Sequence, residues 1–174
     1  FDEFRERTGN TILERYGMTE AGMITSNPLA GERRAGTVGF PLADISARVC
    51  SDKGQELKNG EIGILEIKGP NVFRGYWKLP KKTCDEFRED GFFITGDLAV
   101  QDKRGYISIV GRGRDLVISG GLNVYPKEIE ERLDQADGVV ESAVFGLPHD
   151  DLGEAVTAVV VWNANRECDE RALL

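Results

Sequence analysis

Residues 111–131 read GRGRDLVISGGLNVYPKEIEE, and the chain changes character there. Before this stretch, short apolar runs are broken by glycine-bearing turns; after it, strand-like runs alternate with a helix. LVIS has the composition of a short strand. PKEIEERL, 126–133, reads as a helix opened by Pro126, with Ile129 and Leu133 stacked one turn apart. Further on, VVESAVFG (139–146) reads as a strand. AVTAVVVW (155–162), apolar almost throughout, has the pattern of a strand covered on both faces. CDERALL, 168–174, opens like a helix capped by Asp169.

In the other direction, residues 37–110 read as mostly β. Ile45, Ala47 and Val49 alternate with Ser46 and Arg48, and IGILEIKG, GFFITGDLAV and YISIVG follow, divided by DKG, KNGE and DKRG turns. PKKTCDEF is a short helix with Pro80 at its first position. Residues 16–36 read as a polar, glycine-bearing loop, preceded by ILERY as a short buried strand and FDEFRERTG as the end of a helix. The fold class is therefore α/β plus β for residues 1–110, a linker at 111–115, and α+β for 116–174. Both ends read as cut, so the chain is expected to be a fragment.

Thirty acidic residues against 22 basic ones give a net charge of −8, which disfavours a non-specific nucleic-acid binder living on phosphate neutralisation. No run approaches the roughly 20 apolar residues of a membrane span, and no signal peptide opens the chain. Cys50, Cys84 and Cys168 form no CxxC pair, and an odd count without a secretory signal reads as reduced thiols in the cytoplasm. His149 is the single histidine and reads as a surface-loop residue, which leaves little for a Cys/His zinc site or a Ser-His-Asp triad.

Three stretches carry residues suited to chemistry. YGMTE places an aromatic face (Tyr16), a glycine that lets backbone approach a ligand (Gly17), a hydroxyl (Thr19) and a carboxylate (Glu20) within five residues. Those are parts of a nucleotide site, and also ordinary loop residues. TGD offers Asp97, whose two oxygens suit a ribose diol, or else marks a β-turn. GRGRDLVISGG supplies Arg112 and Arg114, which can meet a phosphate or ribose, and Gly120-Gly121, which can admit a thin ligand; it is equally a linker. Arg33 and Arg34 can neutralise an anion or form a solvated basic pair, and Met23 adds an apolar side chain soon after YGMTE.

Taken together, ERYGMTE, RRAGTVGFPL, GEIGILEIKGPNVFRGYW, DGFFITGDL, GRGRDLVISGGLNVYPKEIEE and VFGLPHDDLGE resemble the adenylate-forming superfamily in order and spacing. That superfamily comprises acyl-CoA synthetases, luciferases and peptide-synthetase adenylation domains. The wording of GERRAGTVGFPL and GPNVFRGYW is most similar to malonyl-CoA synthetases within it. The resemblance implies the end of a large N-terminal domain with a distorted β-barrel subdomain at about 37–110, a hinge at 111–115, and part of a small C-terminal domain. It implies ATP, Mg²⁺, coenzyme A and a carboxylic acid as ligands. Tyr16 would stack on adenine, Thr19 contact the α-phosphate, and Glu20 ligate Mg²⁺. Asp97 would hold the ribose, with Arg112 assisting; Arg114 would be the hinge residue, and Gly120 and Gly121 would face pantetheine. The family's phosphate-binding loop and catalytic lysine are expected outside residues 1–174, so this chain alone is expected to be inactive. The alternatives are a CoA ligase for another short or branched acid, and a non-catalytic β-rich binding module.

Overall fold

A computed structural model describes residues 1–163, so the helix expected at CDERALL lies outside the described residues. The chain separates into two compact units, Phe1–Ile109 and a second from Val110 onward.

The first unit opens with helix α1, Asp2–Thr8, closed by Gly9 in the left-handed conformation. Two strands follow, β1 (Arg15–Met18) and β2 (Gly22–Ser26), paired antiparallel as a hairpin. The expected loop over 16–36 is thus partly sheet, and the buried strand expected at ILERY starts later, at Arg15. The error has a physical source: Thr25 and Asn27 are buried although polar. Asn27 donates to the Thr37 carbonyl at 2.6 Å and accepts from the Arg34 amide at 3.1 Å, so its burial leaves no trace in hydropathy.

Strand β3 (Phe40–Pro41) completes this sheet in the order β1-β2-β3. A second sheet has the order β4-β5-β6-β7, from β4 (Ser46–Cys50), β5 (Ile62–Lys68), β6 (Phe93–Gln101) and β7 (Ile107–Arg112). A bridge between Gly39 and Ile107 joins the two sheets edge to edge, yet both remain open rather than closing into a barrel. Helix α2, Pro80–Asp85, starts at its proline as the sequence indicates. The core gathers Ala21, Ile24, Val49, Leu65, Ile67, Phe93, Ala99 and Ile107, with Phe73 and Phe87 packed on Phe93 at ring separations of 5.3 and 5.2 Å.

The second unit contains a 3₁₀ turn at Gly113–Asp115, then β8 (Val117–Ser119), β9 (Leu122–Val124) and helix α3 (Pro126–Leu133). Its long strands are β10 (Val139–His149) and β11 (Gly153–Trp162), and its sheet order is β10-β11-β8-β9. Helix α3 packs on one face, where the Glu130 carboxylate accepts from the Val144 amide at 3.0 Å. The expectation that β11 is covered on both faces fails: Val159 and Val161 are about half exposed, at 54% and 50%. Valine suits a pleated surface that is only half buried, so an apolar run does not fix coverage on both faces. His149 closes β10 rather than lying in a loop, and its ring nitrogen accepts from the Asp151 amide at 3.2 Å across the turn into β11.

Candidate functional site

Two irregularities in the first unit put the candidate residues together. In β6, Leu98 pairs with Ile64 and Ile94 with Glu66, so Thr95, Gly96 and Asp97 together face only Leu65. This bulge lies inside a continuing strand; TGD is neither a strand end nor a turn. Gly96 takes φ of 77°, which a side chain would strain. The Thr95 hydroxyl donates to the Leu65 carbonyl at 2.8 Å and accepts from the Asp97 amide at 3.1 Å, fixing the aim of Asp97.

The second irregularity is a register shift in β1 between Tyr16 and Gly17. A Cβ on Gly17 would lie 2.4 Å from the Gly22 carbonyl oxygen, so the close backbone approach at this glycine is made by the hairpin itself. The shift directs Tyr16 toward β6, and its hydroxyl donates to the Asp97 carboxylate at 2.5 Å. Asp97 is buried, at 6% exposure. An aromatic face and a carboxylate 81 residues apart thereby share one site.

Thr19 and Glu20 form the turn of the same hairpin, Thr19 exposed and Glu20 half-buried. Segment 71–76 straps this turn. The Phe73 amide donates to the Glu20 carbonyl at 2.8 Å, and the Asn71 side chain donates to the Ala21 carbonyl at 2.7 Å. The Tyr76 hydroxyl lies 3.2 Å from Glu20 Oε1 and 2.7 Å from Glu86 Oε2. Burial first, then the neighbouring Glu86 and Glu20 carboxylates, raise the Tyr76 hydroxyl well above its ordinary range. Neither Tyr76 nor Glu86 is visible as a site residue in the sequence. Tyr76 lies within GPNVFRGYW but has no function until α2 brings Glu86 beside it.

The remaining candidates divide. Met23 is 42% exposed on β2, beside Gly17. The Arg33 guanidinium donates to three main-chain carbonyls, those of Thr11 (2.6 Å), Leu29 (2.9 Å) and Pro28 (3.3 Å). Arg34 pairs with Asp102 and lies 4.7 Å over the Tyr106 ring. These contacts tie both side chains to the 28–36 loop and its surroundings. In the second unit, Arg112 is exposed at the end of β7 and Arg114 is exposed in the 3₁₀ turn beside Asp115. Gly120 and Gly121, both at positive φ, form the two-residue turn between β8 and β9. Among the described residues, no three His, Cys, Asp or Glu side chains form a metal-binding cluster. No described helix is long and apolar enough to cross a membrane.

Two family models match the chain: AMP-binding enzyme over residues 1–77, and AMP-binding enzyme C-terminal domain over residues 128–174. A malonate–CoA ligase of Arabidopsis thaliana is 45% identical over 155 residues, 88% of this chain and 25% of that protein. A sulfoacetate–CoA ligase of Cupriavidus necator is 40% identical over 172 residues, 98% of this chain and 34% of that protein. The ATP-bound crystal structure of MatB from Rhodopseudomonas palustris superposes with a TM-score of 0.97 at 59% identity, covering 99% of this chain and 35% of that one. The chain thus spans about a quarter to a third of the length of these relatives.

Proposed function

The chain belongs to the AMP-binding enzyme family, with the mixed α/β fold of adenylate-forming enzymes, and from that premise we propose that it is part of an ATP-dependent acid–CoA ligase acting on malonate. Such a ligase first joins the acid to AMP with release of pyrophosphate, then transfers the acyl group to the thiol of coenzyme A. The observation that carries this reading is the contact between Tyr16 and Asp97, with Thr19 and Glu20 two and three residues beyond Gly17 on the same hairpin. A ring for the adenine, a hydroxyl for the α-phosphate and a carboxylate thereby occur on one hairpin, with the carboxylate for the ribose diol held against its Tyr16 by β6.

In this reading Asp97 accepts from the ribose hydroxyls, with Arg112 assisting, while the bulge holds its carboxylate in place. Thr19 donates to a phosphate oxygen. Mg²⁺ is commonly held by one or two carboxylates together with the substrate's own phosphates, so the single Glu20 carboxylate fits that need. The ion, when bound, offsets charge on the phosphates under attack. Gly120 and Gly121 line the path of the pantetheine arm, and Arg114 is the hinge between residues 1–110 and residues 116–174.

Malonate is supported by the malonate–CoA ligase relative and by the similarity to MatB. The sulfoacetate–CoA ligase relative favours a second reading, another short acid bearing a second anion. In either case Arg33 and Arg34 are the candidates for the second anion, and Met23 is the candidate on the hairpin for the acyl group. The test is acid- and CoA-dependent AMP release by the full-length enzyme with malonate, sulfoacetate, acetate and a long-chain fatty acid. A preference for malonate supports the proposal, and equal use of acetate removes the requirement for a second anion.

A further inference from the structure

A tyrosine hydroxyl has one proton to give, yet that of Tyr76 lies between two carboxylates, 2.7 Å from Glu86 Oε2 and 3.2 Å from Glu20 Oε1. The hydroxyl donates to both, with the shorter leg to Glu86 and the longer leg to Glu20. Glu86 is itself fixed: its amide donates to the carbonyls of Lys82 (3.1 Å) and Thr83 (3.3 Å) at the end of α2. The Lys82 ammonium stands 3.8 Å from its other oxygen and 4.2 Å from the Tyr76 ring centroid. The Tyr76 amide donates to the Thr83 hydroxyl at 2.9 Å, and its ring meets Phe73 edge-on at 4.8 Å. Tyr76 is therefore held from both ends, and its oxygen confines Glu20 Oε1. Among the described residues, Glu20 Oε2 accepts no hydrogen bond and remains the oxygen available to a hard cation.

We propose that Tyr76, anchored by Glu86, is a positioning residue that holds the Glu20 carboxylate for Mg²⁺ carried by ATP. The inference rests on the reading of Glu20 as the residue that meets the metal. It makes the 71–76 segment and α2 part of the nucleotide site without any contact to nucleotide. The main chain of the turn is set by Asn71 and Phe73, and its side chain by Tyr76, so one segment determines both.

The test is calorimetric binding of ATP to the full-length enzyme, with Mg²⁺ or with EDTA, in the absence of acid so that no turnover occurs. Tyr76→Phe should weaken binding of Mg²⁺·ATP about tenfold, the scale of one hydrogen bond to a charged group, and leave ATP binding in EDTA unchanged. Glu86→Gln still accepts the hydroxyl proton and should weaken binding of Mg²⁺·ATP less than Tyr76→Phe does. Glu20→Gln separates the two layers of the argument. If it leaves the effect of Mg²⁺ intact, the reading of Glu20 fails. If Glu20→Gln abolishes that effect while Tyr76→Phe preserves it, the reading stands and the positioning role is overturned. A Tyr76→Phe enzyme with a lowered melting temperature and equal losses in Mg²⁺ and EDTA assigns the hydroxyl to stability alone and also overturns the inference.

Discussion

Glu66 and Glu20 lie in the same unit and meet opposite surroundings. Glu66 is fully buried at the centre of β5, and both of its oxygens are met by arginine. Arg48 donates to Oε2 at 3.0 and 2.8 Å, and Arg88 donates to Oε1 at 2.7 Å. Asp90 takes the outer side of Arg48 at 2.7 Å. Glu20 is half-buried on a turn, and its neighbours are a phenol and, through that phenol, another carboxylate. The first glutamate has its charge matched from within the protein. The second has its charge held in place but, among the described residues, left unmatched, as suits a group whose counterion arrives with a ligand.

The largest expected effect follows from breaking the matched case. Glu66→Ala leaves two guanidiniums facing each other, with Arg48 only 19% exposed. Loss of one member of a buried ion cluster costs about 3–5 kcal/mol, so urea unfolding of the full-length enzyme should show a loss of that order. A loss under about 1 kcal/mol, within the ordinary range for point substitutions, would mean that Glu66 is no better compensated than Glu20.

The same cluster predicts an alkaline limb. Cys50, fully buried beside Glu66, has its thiol pushed up to about 11 by burial first and by the Glu66 charge next. The folded state thus holds this proton more tightly than the unfolded state, whose thiol titrates near 9.0. Its contribution is complete below that value and is lost as pH rises through the folded value. Stability should fall between those two values, and Cys50→Ala should flatten the fall whatever its effect at neutral pH. Identical pH profiles would remove Cys50 from the cluster's electrostatics.

Nucleotide binding gives the next effect. Asp97→Ala removes a charge-assisted acceptor and should lower kcat/KM for ATP about tenfold in the full-length enzyme. Unchanged ATP kinetics in a folded variant would confine Asp97 to the bulge and to Tyr16.

These residues also mark how far the sequence could be read. Helices α2 and α3 were legible from Pro80 and Pro126, because proline at a helix start is a local rule. The alternation in β4 was legible for the same reason. Tyr16, Glu20 and Asp97 could be named from their motifs, but the meeting of Tyr16 with Asp97 required two bulges, each defined by a partner strand absent from the local sequence. Glu66 was hidden because its arginines lie 18 and 22 residues away, and Leu65, Glu66 and Ile67 are all buried in succession. Position in a strand shows neither coverage, as the exposed Val159 and Val161 demonstrate, nor compensation.

The smallest expected effect tests the unmatched carboxylate. Glu20→Gln keeps an oxygen that can accept from the Tyr76 hydroxyl and keeps the main-chain bond to the Phe73 amide. What is lost is one negative charge beside Glu86, and removing a like charge offsets the weaker hydrogen bond. The group is half-buried, and among the described residues no arginine lies against it, so none of them is left stranded by the change. The nucleotide-free full-length enzyme should therefore change in stability by less than about 0.5 kcal/mol, in either direction. The measurement is urea unfolding in EDTA, where no metal can contribute. A loss approaching that of Glu66→Ala would show that Glu20 is part of the unit's framework, and the contrast between the two glutamates would collapse. A null result alongside a lost response to Mg²⁺ would place the role of Glu20 with the ligand instead of the fold.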